Sequence, residues 1–136
     1  MDAGLLDTDT LNEVLKQKNA NVLWHAADYL AQHGPFAISS ITRYELLRGL
    51  KEKNAAFQLA RFQAFCQNTL LLSVLDEILE QATDLWVTGR RQGLAPKDAD
   101  MMIAATALHH GRTLVTGNTM HFSWVPWLKL DNWRDL

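Results

Sequence analysis

Apolar residues recur along this chain in two rhythms. Short apolar runs stand at Gly4-Leu5-Leu6, Phe36-Ala37-Ile38-Ser39, Thr69-Leu70-Leu71-Leu72-Ser73-Val74 and Thr113-Leu114-Val115-Thr116, each passing into polar residues. Runs of this length predict strands, and the third has the look of a fully buried one. Between them, apolar positions fall three and four apart, as on one face of a helix. Leu11, Val14 and Leu15 predict a helix to about Lys18, with Thr8, Asp9 or Thr10 as its cap. Asn21 is placed to cap a second helix with Leu23, Trp24, Ala27 and Leu30 inward, stopped by Gly34-Pro35. Ile41, Tyr44, Leu47 and Leu50 predict a third, opened by a Thr42–Glu45 capping box. Phe57, Leu59, Phe62 and Phe65 predict a fourth, ending near Gln67-Asn68. Leu75, Ile78, Leu79, Ala82, Leu85 and Trp86 predict a fifth, with Ser73 and Asp76 in a capping arrangement and Arg90-Arg91-Gln92-Gly93 at its close.

The stretch from Asp98 to Leu108 differs from all of these. Beyond Asp98 and Asp100 it is almost wholly apolar, so it has no polar stripe to offer water and predicts a buried helix. Its first turn then holds carboxylates at the positive end of the helix dipole, which favours their ionised form. His109-His110-Gly111 stops it, the strand at 113–116 follows, and Gly117-Asn118-Thr119 reads as a turn. The segment from Trp124 to Leu130 predicts a loop and a last short strand. Strands alternate with helices throughout, which predicts one α/β domain over residues 1–136, a mostly parallel sheet with helices on both faces.

Composition narrows the function. Of 136 residues, 48% are hydrophobic and 21% charged, as in an ordinary globular domain. The 13 basic and 15 acidic residues leave a net charge of -2, so any contact with nucleic acid is through a local site or a small basic patch. The single cysteine, Cys66, excludes an internal disulfide and a multi-cysteine zinc site, and its surroundings place it in helix core. His25 and His33 read as surface residues, and the adjacent His109 and His110 face different ways and make poor joint ligands. No apolar run is long enough to span a membrane and no signal-peptide layout is present, so a cytoplasmic protein is expected.

In open parallel sheets, ligands gather outside the carboxyl ends of the strands. Asp7, Asn118 and the start of the Glu45 helix would share that rim, and Asp100 would join them if its helix begins there. Carboxylates forced together repel one another, and a divalent cation or a retained proton resolves the repulsion. Oxygen donors without His or Cys favour Mg²⁺ or Mn²⁺, ions suited to phosphodiester hydrolysis. Each residue also has a plainer reading: Asp7 and Asp98 as helix caps, Glu45 as a solvated or capping glutamate, Asn118 as a left-handed turn residue.

The chain resembles the PIN domain, and more narrowly the VapC-type ribonuclease toxins of toxin–antitoxin pairs. The matching pieces are Leu5-Leu6-Asp7-Thr8-Asp9, the stretch Ile38 to Gly49 containing Tyr44-Glu45-Leu46-Leu47-Arg48-Gly49, Asp98 to Ala105, Leu114-Val115-Thr116-Gly117-Asn118, and the ending from Val125 to Trp133. The resemblance implies a PIN-like three-layer α/β/α fold with about five strands and an acidic pocket for Mg²⁺ or Mn²⁺. It implies Asp7 and Asp100 as metal ligands, Asp100 being chosen over Asp98 by the D-x-x-I-A pattern, and Glu45 as a further ligand. Asn118 stands where the family has Asp or Asn and is assigned to orienting water or substrate. Thr116 is expected to hydrogen-bond Asp7 and fix its rotamer. Asp98 is expected to cap its helix, with a secondary claim on the pocket, and Asp9 to add negative charge nearby.

The expected activity is therefore a metal-dependent endoribonuclease, the toxin of a toxin–antitoxin pair, acting on a short RNA footprint or a structured target such as tRNA. Arg43, Arg48, Arg90, Arg91 and Lys97 are candidates for steadying RNA phosphates. The family implies homodimers and a cognate antitoxin, for whose helix Trp24, Tyr29, Tyr44, Leu47, Leu50 and Phe57 are candidate groove residues. Two rivals are a receiver-like phosphoacceptor domain, for which Lys129 is a poor late lysine, and a catalytically weak PIN-like binding module, hinted at by Asn118.

Overall fold

The computed structural model describes residues 2–135. Five strands, β1 (Gly4–Leu6), β2 (Ala37–Ser39), β3 (Leu70–Leu72), β4 (Thr113–Val115) and β5 (Leu130–Asp131), form one sheet in the order β3-β2-β1-β4-β5. Every neighbouring pair is parallel. Parallel neighbours need long crossovers, and helices supply them. α1 (Thr8–Lys16) and α2 (Ala20–His33) join β1 to β2; α3 (Ser40–Glu52) and α4 (Ala56–Cys66) join β2 to β3; α5 (Asp76–Arg91) and α6 (Asp98–His109) join β3 to β4. The strand order reverses between β1 and β4, where Leu5 lies opposite Leu114 and Leu6 opposite Val115.

Successive strand residues point to opposite faces, so each central strand feeds two cores. Leu5, Ala37 and Leu114 pack with Ile78 and Leu85 of α5 and with Ile103 and Ala104 of α6. Leu6, Ile38 and Val115 pack on the other side with Leu11 of α1, Val22 and Tyr29 of α2, Phe62 of α4 and Trp133. The apolar helix is buried as its composition demands: Met101 and all of Ile103 to Ala107 lie inside α6 contacts.

Several local expectations are corrected. The third run is not a fully buried strand: β3 is a sheet edge, with only Leu72 buried and Leu70 and Leu71 exposed. Asp7 caps α1, accepting from the Thr10 backbone, so the helix starts three residues earlier than its apolar face suggests. Asn19, not Asn21, caps α2, accepting from Val22 N at 3.1 Å. The inner face of α2 is Val22, Ala26 and Tyr29, while Trp24 is 64% exposed. Tyr29 turns the helix this way, because its hydroxyl accepts from Gly4 N at 3.0 Å and its ring packs near Phe36 and Trp133. The Thr42–Glu45 capping box does not form; Ser39 caps α3 through Ile41 N. Leu75 stands at the start of α5 without a side-chain capping bond, so the Ser73–Asp76 arrangement is not its cap.

Two further placements differ. His25 is half-buried, with Nε2 2.8 Å from the Asp135 carbonyl and its ring stacked on Trp133, whereas His33 is exposed as expected. Cys66 ends α4 half-buried instead of in the core, and burial raises its thiol pKa against the pull of the Arg43 guanidinium.

Candidate active site

The site grows from the carboxyl end of β1. Asp7 follows Leu6 directly, and its backbone N–H donates to the Val115 carbonyl at 3.0 Å, tying it to β4. Its side chain has only 6% exposure. One carboxylate oxygen accepts from Thr10 N at 2.8 Å, the Thr116 hydroxyl also favours the ionised carboxylate, and the Thr10 hydroxyl nearby donates to the Val115 carbonyl at 3.1 Å. Burial pushes the Asp7 pKa up; those hydrogen bonds pull it back and the charge of Asp9 adds to the push. Asp9 itself is exposed in the first turn of α1, so it acts on the site as charge and not by contact. Thr116 is fully buried after β4, and its oxygen also accepts from Asn118 N at 3.0 Å. That single side chain couples Asp7 to the loop carrying Asn118.

Asp100 comes to the same rim on the first turn of α6. Burial raises its pKa; His121 and Lys97 oppose the shift, and Asp7 and Glu45 reinforce it. Asp100 thus feels both other carboxylates across the rim. Glu45 is half-buried in α3 and accepts from the Thr8 hydroxyl at 2.7 Å, with Thr42 Oγ1 3.2 Å from the same Thr8 oxygen. Thr42, expected as a cap, is itself fully buried and instead shares this part-buried cluster. Asn118 is not a left-handed turn residue: its φ is -125°, it precedes a 3-10 turn at Thr119–His121, and its amide nitrogen donates to His121 Nδ1 at 3.0 Å. The same Nδ1 is 3.8 Å from Asp100 Oδ2, too long for a hydrogen bond.

Residues 5–127 match the PIN domain. The chain belongs to the PIN domain family. It is 32% identical to a tRNA(fMet)-specific endonuclease VapC of Shigella flexneri over 136 residues, covering 95% of this chain and 96% of that protein. It is 27% identical to Ribonuclease VapC2 of Rickettsia felis over 130 residues, covering 95% and 96%. Its fold superposes on DNA-bound VapBC from Salmonella typhimurium with a TM-score of 0.85 at 25% identity, covering 98% of this chain and 99% of that one. VapBC2 from Rickettsia felis bound to a promoter DNA fragment gives 0.84 at 24%, covering 96% and 98%. The three-layer α/β/α arrangement is therefore the PIN fold.

In this PIN domain the expected residues divide clearly. Asp7, Glu45, Asp100, Asn118 and Thr116 come together at the rim. Asp98 does not cap α6: Lys97 holds that position without a side-chain bond, and Asp98 is the exposed first helical residue. Of the basic candidates, Lys97 acts on Asp100, and Arg48 Nη2 stands 3.8 Å from Glu45 Oε2. Arg43 is engaged with Cys66, away from the acids. Arg90 lies over the Trp86 ring and Arg91 is exposed, both in the last turn of α5. Tyr29 is removed from the groove candidates by burial, whereas Trp24, Tyr44 and Phe57 stay exposed. Thr8 and His121 were missed as site residues. Thr8 looked like a cap, and His121 sits in a loop whose path no periodicity reveals.

The donors fit a hard divalent ion that keeps much of its water. Among the described residues no three Asp, Glu, His or Cys side chains stand close enough together to hold a metal ion, so the side chains as placed offer an ion fewer than three such donors at once. Mg²⁺ characteristically takes one or two carboxylates and retains several waters, which suits an open rim of mutually repelling acids. The raised pKa values of Asp7 and Asp100 mark the electrostatic demand such an ion would relieve.

Proposed function

We propose that this protein is a Mg²⁺- or Mn²⁺-dependent endoribonuclease, the toxin of a toxin–antitoxin pair, and that Asp7, Asp100 and Glu45 form its metal site. The observation that carries the reading is Asp100, held at the rim by a buried helix and pressed by both Asp7 and Glu45. Asp7 and Asp100 would hold the ion directly, and Glu45 would add a carboxylate from α3. When bound, such an ion neutralises phosphate charge and activates water for attack on the phosphodiester. Thr116 fixes the Asp7 carboxylate, and Thr8 fixes that of Glu45. Asn118 presents a neutral amide that orients water or substrate, and Lys97 and Arg48 steady the phosphates beside the acids. A cognate antitoxin as protein partner, RNA including tRNA as substrate, a homodimer and a cytoplasmic setting belong to the same reading; among the described residues no helix is long and apolar enough to cross a membrane. The receiver-like rival is disfavoured by strand order, since receivers follow 2-1-3-4-5 and this sheet follows 3-2-1-4-5.

The test is cleavage of single-stranded RNA and of tRNA by purified protein with Mg²⁺ or Mn²⁺, with and without chelator. Cleavage is expected only with metal, and Asp7→Asn and Asp100→Asn should each lower it at least 100-fold, on the order of the loss of an essential electrostatic group. Absence of cleavage, or variants as active as the wild type, would overturn the reading in favour of a binding module.

A further inference from the structure

Beside the acids lies a second feature that the proposed chemistry leaves unused. A cleft of about 250 Å³ opens along α6, walled by Leu94, Pro96, Lys97, Met120, His121 and Trp124, with Asp100 on its margin. Pockets for drug-sized molecules run to about 300–1,000 Å³, so this one suits a single planar ring system. Its back wall is rigid. Trp124 Nε1 donates to the His121 carbonyl at 2.8 Å. The indole also fills the space that Gly89 leaves: a Cβ there would stand 2.9 Å from Trp124 and 3.1 Å from Pro96. Its front wall is soft, for Met120 is 81% exposed and carries an adaptable thioether. Its one lysine, Lys97, lines the cleft together with Asp100, so positive charge stands on the side facing the acids.

We propose that this cleft receives the nucleobase adjoining the scissile phosphodiester of the RNA. The inference rests on the nuclease reading for which phosphate is cut, but the cleft argument stands on its own geometry. A ring held between Trp124 and Met120 has its sugar-phosphate at the mouth, where Lys97 meets one phosphate and Asp100 borders the next. Apolar and aromatic walls hold any base, because every base has a π-face, so the cleft adds affinity and register and little base preference. Its lining holds no side-chain amide and a single carboxylate, Asp100, which agrees with this.

Two measurements test it. In chelator, adenosine 5′-monophosphate should shift the Met120 methyl and Trp124 indole NMR signals, assigned by Met120→Ala and Trp124→Phe, while ribose 5-phosphate should not. Met120→Ala, at an exposed position, should weaken the nucleotide several-fold. In the cleavage assay, an abasic residue beside the cut should raise KM roughly tenfold, an effect of the size of one lost base stack, and Met120→Ala should shrink that difference. Equal shifts with both ligands, shifts confined to other residues, or no abasic position that changes KM would overturn the proposal. Nucleotide shifts without any RNA cleavage would instead sink the nuclease reading and leave the cleft a nucleotide site.

Discussion

Replacing Asp7 two ways separates its two duties, capping a helix and carrying charge. Asp7→Asn keeps an oxygen to accept from Thr10 N, because Asn and Asp are comparable caps, while Asp7→Ala removes it. Loss of a cap costs about 1 kcal/mol. For a chain of this length that is a fall in Tm of roughly 3–4 °C. The charge works the other way. Burial holds the folded-state pKa above its ordinary value, so the stabilising contribution of Asp7 is complete below the unfolded pKa and lost as pH rises through the folded one. At pH 7.5 without metal the carboxylate is thus a net burden that Asn lacks. Thermal denaturation in chelator should therefore rank Asp7→Asn at or above wild type and Asp7→Ala several degrees below Asp7→Asn. Below the unfolded pKa the advantage of Asn should vanish. With Mn²⁺ at 100 times its Kd, wild type should gain about 2.7 kcal/mol and both variants far less. If Asp7→Asn melts together with Asp7→Ala in chelator, or gains as much from Mn²⁺ as wild type does, the reasoning about this carboxylate is wrong.

Other predictions follow from single contacts. Because Asp7 and Asp100 both have raised pKa values, Mn²⁺ affinity measured by calorimetry should rise with pH through the titration of these two groups, with protons released on binding. Tyr29→Phe leaves the buried Gly4 N–H without its partner and should cost about 1–3 kcal/mol in urea unfolding, with cleavage per folded molecule unchanged. Gly89→Val forces a side chain against Trp124 and Pro96; a destabilisation of about 1–3 kcal/mol is expected, together with weaker nucleotide binding. An unchanged melting curve for either variant would remove the packing argument behind it.

How much the sequence disclosed depended on whether a residue's partners are local. The apolar length of α6 fixed its burial, and the strand–helix alternation anticipated the parallel sheet, because both are set by short-range pattern. Helix starts were less legible. Asp7, Asn19 and Ser39 cap at strand ends or loop ends, ahead of the first apolar position, so the apolar face marks a later start than the hydrogen bonds do. The exposed β3 reflects sheet order, which no local run encodes. At the site, position at a strand end or helix start marked Asp7, Asp98 and Asp100 as candidates, but the choice of Asp100 over Asp98, and of Glu45 inside α3, came from the family pattern. Thr8 bonding Glu45 joins residues 37 apart, and His121 reaches Asp100 through a loop, so neither has a sequence spacing to betray it.

The fold also explains how such a cluster of acids is tolerated at all. In a parallel sheet with helical crossovers, each helix begins where a strand has ended or packs back to that edge, so positive helix ends converge on one rim. Asp7 caps α1, Asp100 lies in the first turn of α6, and Glu45 follows the start of α3 by little more than a turn. Asp7 and Asp100 thus each have a helix terminus that favours the charged form, whereas Glu45 lies beyond the first turn of α3; Asp7 and Glu45 also accept from hydroxyl groups. Those terms oppose desolvation and mutual repulsion without overcoming them, since Asp7 and Asp100 keep raised pKa values. The residual imbalance is what a divalent cation would remove. A fully neutralised site would have little left to give a metal, whereas an unsupported one would hold its protons too firmly to release them. On the proposed metal site, the helix termini of α1 and α6 would set the rim between these limits, leaving carboxylates ionised enough to bind and repelling enough to gain from an ion.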